Sequence, residues 1–408
     1  MITITPFKAL RPEAQFAKGV ASRPYDVLNS KEAKIEAQGN PNSFLHITKS
    51  EIDLPESTDI HSDAVYEKAK DNLNAFISRN VLFRESKPCY YIYRLIMNGR
   101  SQTGLVCGSS IADYENGLIK KHEFTRPEKE QDRINHIRIT GAQTGNVFLA
   151  YKNVDEIDAL INNWTSTKNP QYDFVADDQI QHSVWIVNDD KVISQITAAF
   201  HKYVPHSYIA DGHHRAASAA KVKAQAGLET EASNYFLTTL FPSNQLAILD
   251  YNRVITDLNG LTEEAFFSQL SEKFEVTKAK EAVKPASPHE FGLYISGVWY
   301  KLNSKPGTWK SDPIGILDVS ILQENILEPI LGIKDQRTDK RIDFVGGIRG
   351  LQELEKRVDD GEMKLSFSLH PVSIEELFAV ADSGEVMPPK STWFEPKLRD
   401  GLLTHLIS

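Results

Sequence analysis

Residues 207–215 read Ser-Tyr-Ile-Ala-Asp-Gly-His-His-Arg, and this stretch decides how the centre of the chain is organised. Its first four residues predict a short strand, and its Asp-Gly pair predicts a turn. The alanine-rich run 213–225 predicts a helix, which Gly227 is expected to end. The strand-to-helix connection, named the site turn from here on, comprises Asp211, Gly212, His213, His214 and Arg215.

The site turn has the chemistry of a phosphate-binding site. Backbone N–H groups at the start of a helix attract anions, and the helix dipole adds a positive field there. The guanidinium of Arg215 can grip two phosphate oxygens, and the imidazoles of His213 and His214 add donors. Gly212 allows a tight turn and a close approach of a ligand to the backbone. Asp211 has the chemistry to cap the helix, bind Mg²⁺ or accept a proton.

Two other interpretations of the site turn are open from the residues alone. In the first, Asp211 is only the N-cap of the helix, and both histidines are surface residues. In the second, His206, His213 and His214 bind zinc, which would require further ligands from distant parts of the chain. The presence of five such residues in one turn favours the phosphate site over both.

Composition narrows the class of protein. The 408 residues are 41% apolar and 25% charged, which is typical of a folded globular protein, and the net charge is −9. This charge argues against broad affinity for a nucleic-acid backbone. No apolar run reaches the roughly 18 residues of a membrane span, and the N-terminus lacks a signal-peptide pattern. Cys89 and Cys107 are too few for a disulfide framework, so we expect reduced thiols and a cytoplasmic protein.

The order of predicted elements indicates a mixed α/β (α+β) fold. β-rich runs flank Asn98-Gly99, a pair typical of a tight hairpin turn, and a second hairpin is expected around Pro242-Ser243-Asn244. Ser373 and Glu376 have the spacing of a helix capping box. We expect three regions: an N-terminal α+β region (1–115), a core with the site turn (116–255) and a C-terminal α+β region (256–408).

Several common sites are absent from the sequence. It contains no G-x-x-x-x-G-K-[ST] loop, no G-x-G-x-x-G fingerprint and no protein-kinase signature set. His122-Glu123 resembles the opening of a zinc-protease helix, but Arg126 stands where the second histidine is required. Phosphate chemistry in this chain therefore depends on a less common arrangement, and the site turn is the main candidate.

The strand, the D-G-H-H-R turn and the alanine-rich helix together resemble the ParB/sulfiredoxin-like fold, and within it the free L-serine kinase family, which carries the same five residues. The resemblance implies such a core with large N-terminal and C-terminal elaborations. It also implies transfer of a phosphoryl group from ATP or ADP, or from pyrophosphate, to free L-serine, giving O-phospho-L-serine. The whole chain, including Arg23-Pro24-Tyr25-Asp26, resembles a large, mostly uncharacterised bacterial domain family that contains the motif.

The same resemblance implies roles for individual residues. Glu123, from the His122-Glu123 pair, would be the catalytic base, although its separation from Asp211 is about twice that of the family. Asp211 would hold Mg²⁺ or share the proton, with His213 as a catalytic partner. The implied phosphate- and nucleotide-binding residues are Gly212, His214, Arg215, Lys390, Ser391 and Thr392.

Other activities on this fold remain as alternatives. Sulfiredoxin chemistry needs a cysteine in the turn, where this chain has His213, so we reject it. A ParB-like nucleotide-binding, DNA-associated regulator is one alternative, and a kinase or phosphohydrolase for another small alcohol is a second. We expect nucleotide and small-molecule partners, with no nucleic acid and no membrane among them.

Overall fold

The Asn98-Gly99 pair joins two long strands, Tyr90–Met97 and Arg100–Ser110, in the computed structural model, which describes residues 1–225 and 230–407. The strands pair antiparallel directly up to the two-residue loop. Both loop residues have positive φ angles, 51° and 77°, a conformation that asparagine and glycine tolerate best. The predicted hairpin is confirmed.

Helices and strands alternate along the described residues, which confirms the predicted mixed α/β class. The α-helices are Ala17–Val20, Ser30–Glu36, Leu45–Thr48, Asp63–Ser78, Ile111–Glu115, Pro127–Thr140, Asp155–Thr167, Asp190–Tyr203, His213–Ala224, Glu263–Lys273, Asp318–Leu322, Leu351–Asp359 and Ile374–Ser383. No helix in the described ranges has both the length and the apolar character that crossing a bilayer demands.

Two compact units make up the structure, and the first comprises Met1–Leu246 and Pro396–Ser408. Its centre is a nine-stranded mixed sheet. Eight of its strands follow the order Ile119–Lys120, Ser207–Asp211, Val147–Tyr151, Tyr235–Pro242, Arg100–Ser110, Tyr90–Met97, Gln181–Val187 and Tyr172–Val175, and Ile4–Thr5 pairs with Arg100–Ser110. The shorter pairs of the unit are Leu10–Pro12 with Leu82–Arg84 and Ala142–Gln143 with His405–Leu406.

The strand before the site turn, Ser207–Asp211, lies near one edge of this sheet. It runs parallel to Ile119–Lys120 and antiparallel to Val147–Tyr151, with a shift in register between Ile209 and Asp211. Such a bulge locally redirects a strand. The helix that follows, His213–Ala224, is as the alanine-rich sequence predicts, and Gly227 lies outside the described residues.

Small side chains explain how this helix reaches the sheet. Its buried face contains Ala216, Ala217, Ala219 and Ala220, which join the core formed by residues such as Leu149. Alanine favours the helix and leaves the backbone close to the strands. The start of the helix, with the site turn, is thereby fixed against the sheet.

The second unit, Ala247–Glu395, is built on a six-stranded antiparallel sheet. Its strands follow the order Phe274–Lys278, Val298–Ser304, Glu290–Ile295, Leu365–Leu369, Tyr251–Ile255 and Ile342–Gly346, and a separate pair is Ile248–Leu249 with Trp393–Phe394. The capping box predicted at Ser373 and Glu376 is present at the start of Ile374–Ser383. Packing thus groups the chain into two units, a coarser division than the three regions proposed from sequence.

The second predicted hairpin is wrong. Tyr235–Pro242 forms the expected first strand, but Tyr251–Ile255 pairs with Ile342–Gly346 and Leu365–Leu369 instead. The connecting turn is engaged elsewhere, because the side-chain oxygen of Gln245 accepts the backbone N–H of Thr103 at 2.8 Å. Turn chemistry alone therefore did not determine the pairing partner.

Candidate functional site

Gly212, at the centre of the site turn, is the N-cap of the helix and has a φ angle of 101°. A Cβ atom there would lie 3.1 Å from the Nε and Cζ atoms of Arg215. Both the backbone angle and this contact require glycine. The first helical hydrogen bond runs from the N–H of Ala216 to the Gly212 carbonyl, so the N–H groups before it have no partner within the helix. The N-cap is thus Gly212 and not Asp211.

Asp211 ends the strand, and its carboxylate lies between two cations. Oδ2 accepts a hydrogen bond from Nζ of Lys397 at 3.0 Å, and Oδ1 lies 3.4 Å from Nη2 of Arg215. Burial alone would raise the pKa of Asp211, but the charges of Lys397 and Arg215 outweigh it and hold that pKa well below its usual range. Asp211 is therefore ionised at neutral pH.

Arg215, the last residue of the site turn, is the centre of a network of charged side chains, and its own side chain is only 9% exposed. Its Nη1 donates to the carbonyl of Asn146, and its Nη2 lies 3.5 Å from Oδ2 of Asp26 and 3.4 Å from Asp211. Burial disfavours the charged guanidinium, but Asp26 and Asp211 more than compensate and raise the Arg215 pKa. The arginine stays charged and ties the site turn to two distant segments.

Asp400, a second buried aspartate of this network, behaves in the opposite way. Burial raises its pKa to about 8, although the charges of Arg215 and Arg133 act against this rise. Its Oδ2 atom has no hydrogen-bond partner among the described residues, and its Oδ1 lies 3.4 Å from the position of a Cβ on Gly145. Asp400 is therefore mostly protonated and neutral at pH 7.

His213 is the first residue of the helix and contacts the segment that contains Glu123. Only 5% of the residue is exposed. Its Nε2 accepts the backbone N–H of His122 at 3.4 Å, and its Nδ1 lies 3.7 Å from Oε2 of Glu123. Burial lowers the pKa of His213 to about 3, so the ring is neutral at pH 7. Since Nε2 accepts, the proton is on Nδ1, where it faces the Glu123 carboxylate.

His214 makes an equivalent contact farther along the same segment. Its Nε2 accepts the backbone N–H of Arg126 at 3.0 Å, and burial lowers its pKa. The two histidines therefore hold residues 122–126, named the clamped segment from here on, at both ends. Glu123 lies within it, and its side chain is 36% exposed.

Two polar residues near the site turn, Arg133 and His136, make contacts within the protein. Arg133 stacks under the ring of Tyr25 at 3.9 Å, and Nε2 of His136 lies 3.0 Å from the carbonyl oxygen of Ile47. Both side chains are buried rather than solvated. Together with Arg215 and Tyr25 they line a small cavity beside the turn, with room for about one water molecule.

The second unit contains Lys390, Ser391 and Thr392. Lys390 has a φ angle of 58°, and its Nζ lies 5.5 Å from the ring centre of Tyr251. The hydroxyl of the buried Ser391 donates to the carbonyl of Pro388 at 2.7 Å. The phosphate contacts predicted for these three residues remain predictions.

A metal ion would have to use few protein ligands here. Within residues 1–225 and 230–407, no group of three or more His, Cys, Asp or Glu side chains is arranged to hold one. This counts against the zinc interpretation. Mg²⁺ commonly takes one or two carboxylates together with substrate phosphates, and Asp211 suits that use, although Lys397 already occupies one of its oxygens.

The structure places Glu123, Asp211, Gly212, His213, His214 and Arg215 together within the first unit. Sequence reasoning missed Lys397, Asp26 and Asp400. Asp26 belongs to the Arg23-Pro24-Tyr25-Asp26 stretch, for which the sequence alone indicates no role. For Lys397 the sequence offers one signal, the pair Pro396-Lys397, which repeats the pair Pro389-Lys390 at the start of the predicted phosphate segment.

Comparisons with known proteins give a family and several distant structures. The family model described as "Protein of unknown function (DUF1015)" matches residues 4–320. No curated protein matches the sequence.

Similar solved structures include a free serine kinase mutant in complex with AMP, at 14% identity and a TM-score of 0.38, covering 73% of this chain and 92% of the kinase. Another is a conserved hypothetical protein from Pyrococcus furiosus, at 15% identity and a TM-score of 0.35, covering 74% and 94%. A third is SbnI with a C-terminal truncation from Staphylococcus aureus, at 10% identity and a TM-score of 0.39, covering 72% and 85%.

Proposed function

The chain belongs to the DUF1015 family, and we propose that this member is a small-molecule kinase that transfers a phosphoryl group from ATP or ADP to free L-serine. The observation that carries the proposal is the approach of Glu123 to the site turn. Oε2 of Glu123 lies 3.7 Å from Nδ1 of His213, and Asp211 with its Lys397 partner lies on the same turn. A carboxylate base, an anion-binding helix start and a cation thus meet at one place.

Each part has a task in phosphoryl transfer. Glu123 accepts the proton of the acceptor hydroxyl, and the hydroxyl oxygen forms a bond to the transferred phosphorus. The bond from that phosphorus to the leaving nucleotide oxygen breaks, and the nucleotide departs with one phosphate fewer. The neutral His213 directs its Nδ1–H toward the Glu123 carboxylate and so orients the base.

The helix start and Lys397 neutralise the negative charge of the phosphate groups. The N–H groups of the first helical turn and the ammonium of Lys397 supply positive charge, and Gly212 lets the ligand approach the backbone. We assign Asp211 as the residue that would hold Mg²⁺ with the phosphate oxygens, and the ion would neutralise phosphate charge when bound. Arg215, buried against Asp26, keeps the turn in place.

Serine as the acceptor is supported by the D-G-H-H-R motif, which the sequence shares with free serine kinases. Cytoplasmic location is part of the same proposal, since the free thiols of Cys89 and Cys107 are buried and unpaired with each other.

The test is a donor screen with purified protein, Mg²⁺ and L-serine. ATP, ADP and pyrophosphate are supplied separately, and O-phosphoserine is measured by mass spectrometry. We expect product with at least one nucleotide, and loss of more than about 100-fold in rate for Glu123→Ala and Asp211→Ala. Glu128→Ala, which changes an exposed glutamate of the next helix, is the matched control and should keep full activity.

Three outcomes would contradict parts of the proposal. No O-phosphoserine with any donor, in folded protein that binds nucleotide, would exclude serine as the acceptor. Nucleotide consumption with release of free phosphate would indicate a phosphohydrolase. Full activity of Glu123→Ala would exclude Glu123 as the base.

A further inference from the structure

Phe124, the residue after the proposed base, exposes 74% of its surface. An isolated exposed apolar residue is common on protein surfaces, so exposure alone gives Phe124 no function. Ile35, for example, is 72% exposed on the helix Ser30–Glu36 of the same unit. What distinguishes Phe124 is where its backbone is held and what lies beside it.

The backbone on both sides of Phe124 is fixed to the proposed active site. His213 accepts the N–H of His122, two residues before Phe124, and His214 accepts the N–H of Arg126, two residues after it. The hydroxyl of Thr125 also donates to the buried carboxylate of Glu130. An aromatic ring on such a segment is presented from a fixed position, which lowers the entropy cost of binding a flat ligand.

Glu123 and Phe124 are successive residues of the clamped segment, and their side chains have different surroundings. Glu123 faces His213 of the site turn, whereas Phe124 is open to solvent. Of the two proposed substrates, only the nucleotide has a flat aromatic part. A small alcohol such as serine has no flat surface that could pack against an exposed ring, whereas nucleobases stack on aromatic side chains.

We propose that Phe124 is the stacking platform for the base of the nucleotide donor, and this inference rests on the proposed kinase function. The clamped segment then positions both substrates: Glu123 takes the proton of the acceptor, and Phe124 holds the donor by its base. The exposed Arg126 adds a cation on the same segment, which suits a phosphate-bearing ligand.

The test compares a ligand that has a base with one that has none. Binding of ATP and of inorganic tripolyphosphate is measured by calorimetry for wild type, Phe124→Ala, Phe124→Tyr and Ile35→Ala. Phe124→Ala should weaken ATP binding about tenfold while leaving tripolyphosphate binding unchanged, because only the base loses its platform. Phe124→Tyr should restore ATP binding, and Ile35→Ala should bind both ligands as wild type does.

The outcomes separate this inference from the proposed function. Unchanged ATP binding in Phe124→Ala would overturn the stacking role while leaving a nucleotide-dependent kinase intact. Equal weakening of ATP and tripolyphosphate would also overturn it, since the ring would then support the shape of the segment rather than bind a base. Wild-type protein that binds neither ligand would overturn the proposed function and the inference together.

Discussion

Arg215 in the first unit and Arg253 in the second are both buried arginines, yet their surroundings differ in kind. Arg215 has two carboxylate neighbours, Asp26 and Asp211, which raise its pKa against the effect of burial. Arg253 is fully buried and donates to the carbonyls of Tyr251 and Pro389. Burial lowers its pKa to about 9, and among the described residues no carboxylate forms an ion pair with it.

Each arginine supports a segment that the sequence predicts to bind phosphate, and the two do so by different interactions. In the site turn, Arg215 forms ion pairs, because its Nη2 lies near both Asp26 and Asp211. Near Lys390, Arg253 ties backbone, because its Nη2 holds the carbonyl of the preceding Pro389 at 3.2 Å. The first arrangement depends on pH and on bound ions, and the second depends mainly on packing and hydrogen bonds.

The largest expected effect separates the two arginines by stability. Arg215→Met should lower the free energy of unfolding of the first unit by about 3 kcal/mol, since it removes the buried cation that pairs with Asp26 and Asp211 and the donor to the carbonyl of the buried Asn146. Arg253→Met should cost the second unit less than about 2 kcal/mol, because the lost hydrogen bonds are offset by removal of an uncompensated buried charge.

The measurement is urea unfolding followed by hydrogen exchange, with peptides from each unit analysed separately. Each variant is then compared with the unfolding of its own unit. Equal losses for the two variants would show that carboxylate pairing does not distinguish the two regions.

The next effect concerns pH and the two aspartates of the Arg215 network. Asp400 has a raised pKa, so between about pH 4 and 8 the folded state holds a proton that the unfolded state has lost. The contribution of Asp400 to the free energy of unfolding should therefore fall as pH rises through that window. Asp211 has a lowered pKa, so its contribution is present above about pH 4 and is lost as pH falls below it.

Asp400→Asn tests this assignment, because asparagine resembles the protonated carboxyl and cannot ionise. Arg215, Arg133 and Asp26 act electrostatically on this position. Buried neutral histidines such as His213 make both proteins more stable as pH rises to about 6.5, so the two proteins are compared with each other at pH 5, 6, 7 and 8. The urea midpoint of wild type should fall relative to that of Asp400→Asn as pH rises across this series. A difference in midpoint between the two proteins that stays constant over this series would show that Asp400 ionises normally.

A smaller effect is expected for the histidines of the site turn, which, like Arg253, form hydrogen bonds with backbone groups. His214→Ala removes the acceptor for the N–H of Arg126, so amide exchange in the clamped segment should become about fivefold faster. His214→Gln is the matched variant, since its side-chain oxygen can accept the same N–H and restore protection. Unchanged exchange in His214→Ala would mean that packing, and not this hydrogen bond, holds the segment.

Local signals in the sequence were sufficient for some features and not for others. The Asn98-Gly99 hairpin and the Ser373 capping box depend on neighbouring residues only, and both are confirmed. The contact of Lys397 with Asp211 joins residues 186 positions apart, and no periodicity or spacing carries that information. Histidines that look like phosphate ligands also accept backbone N–H groups, a use that becomes visible only when strands Ile119–Lys120 and Ser207–Asp211 lie side by side.

The smallest expected effect concerns Lys390, whose phosphate contact is so far a prediction from sequence. If Lys390 contacts phosphate, Lys390→Ala should weaken tripolyphosphate binding about threefold, the effect of one solvent-exposed charge. Lys340→Ala, which removes another exposed lysine of the second unit, is the matched control for a change in net charge. Calorimetry at low and high salt distinguishes a direct contact from a general field, because a general field is screened equally in both variants. Equal affinities for Lys390→Ala and Lys340→Ala would remove the 390–392 segment from the phosphate site and leave phosphate recognition to the site turn.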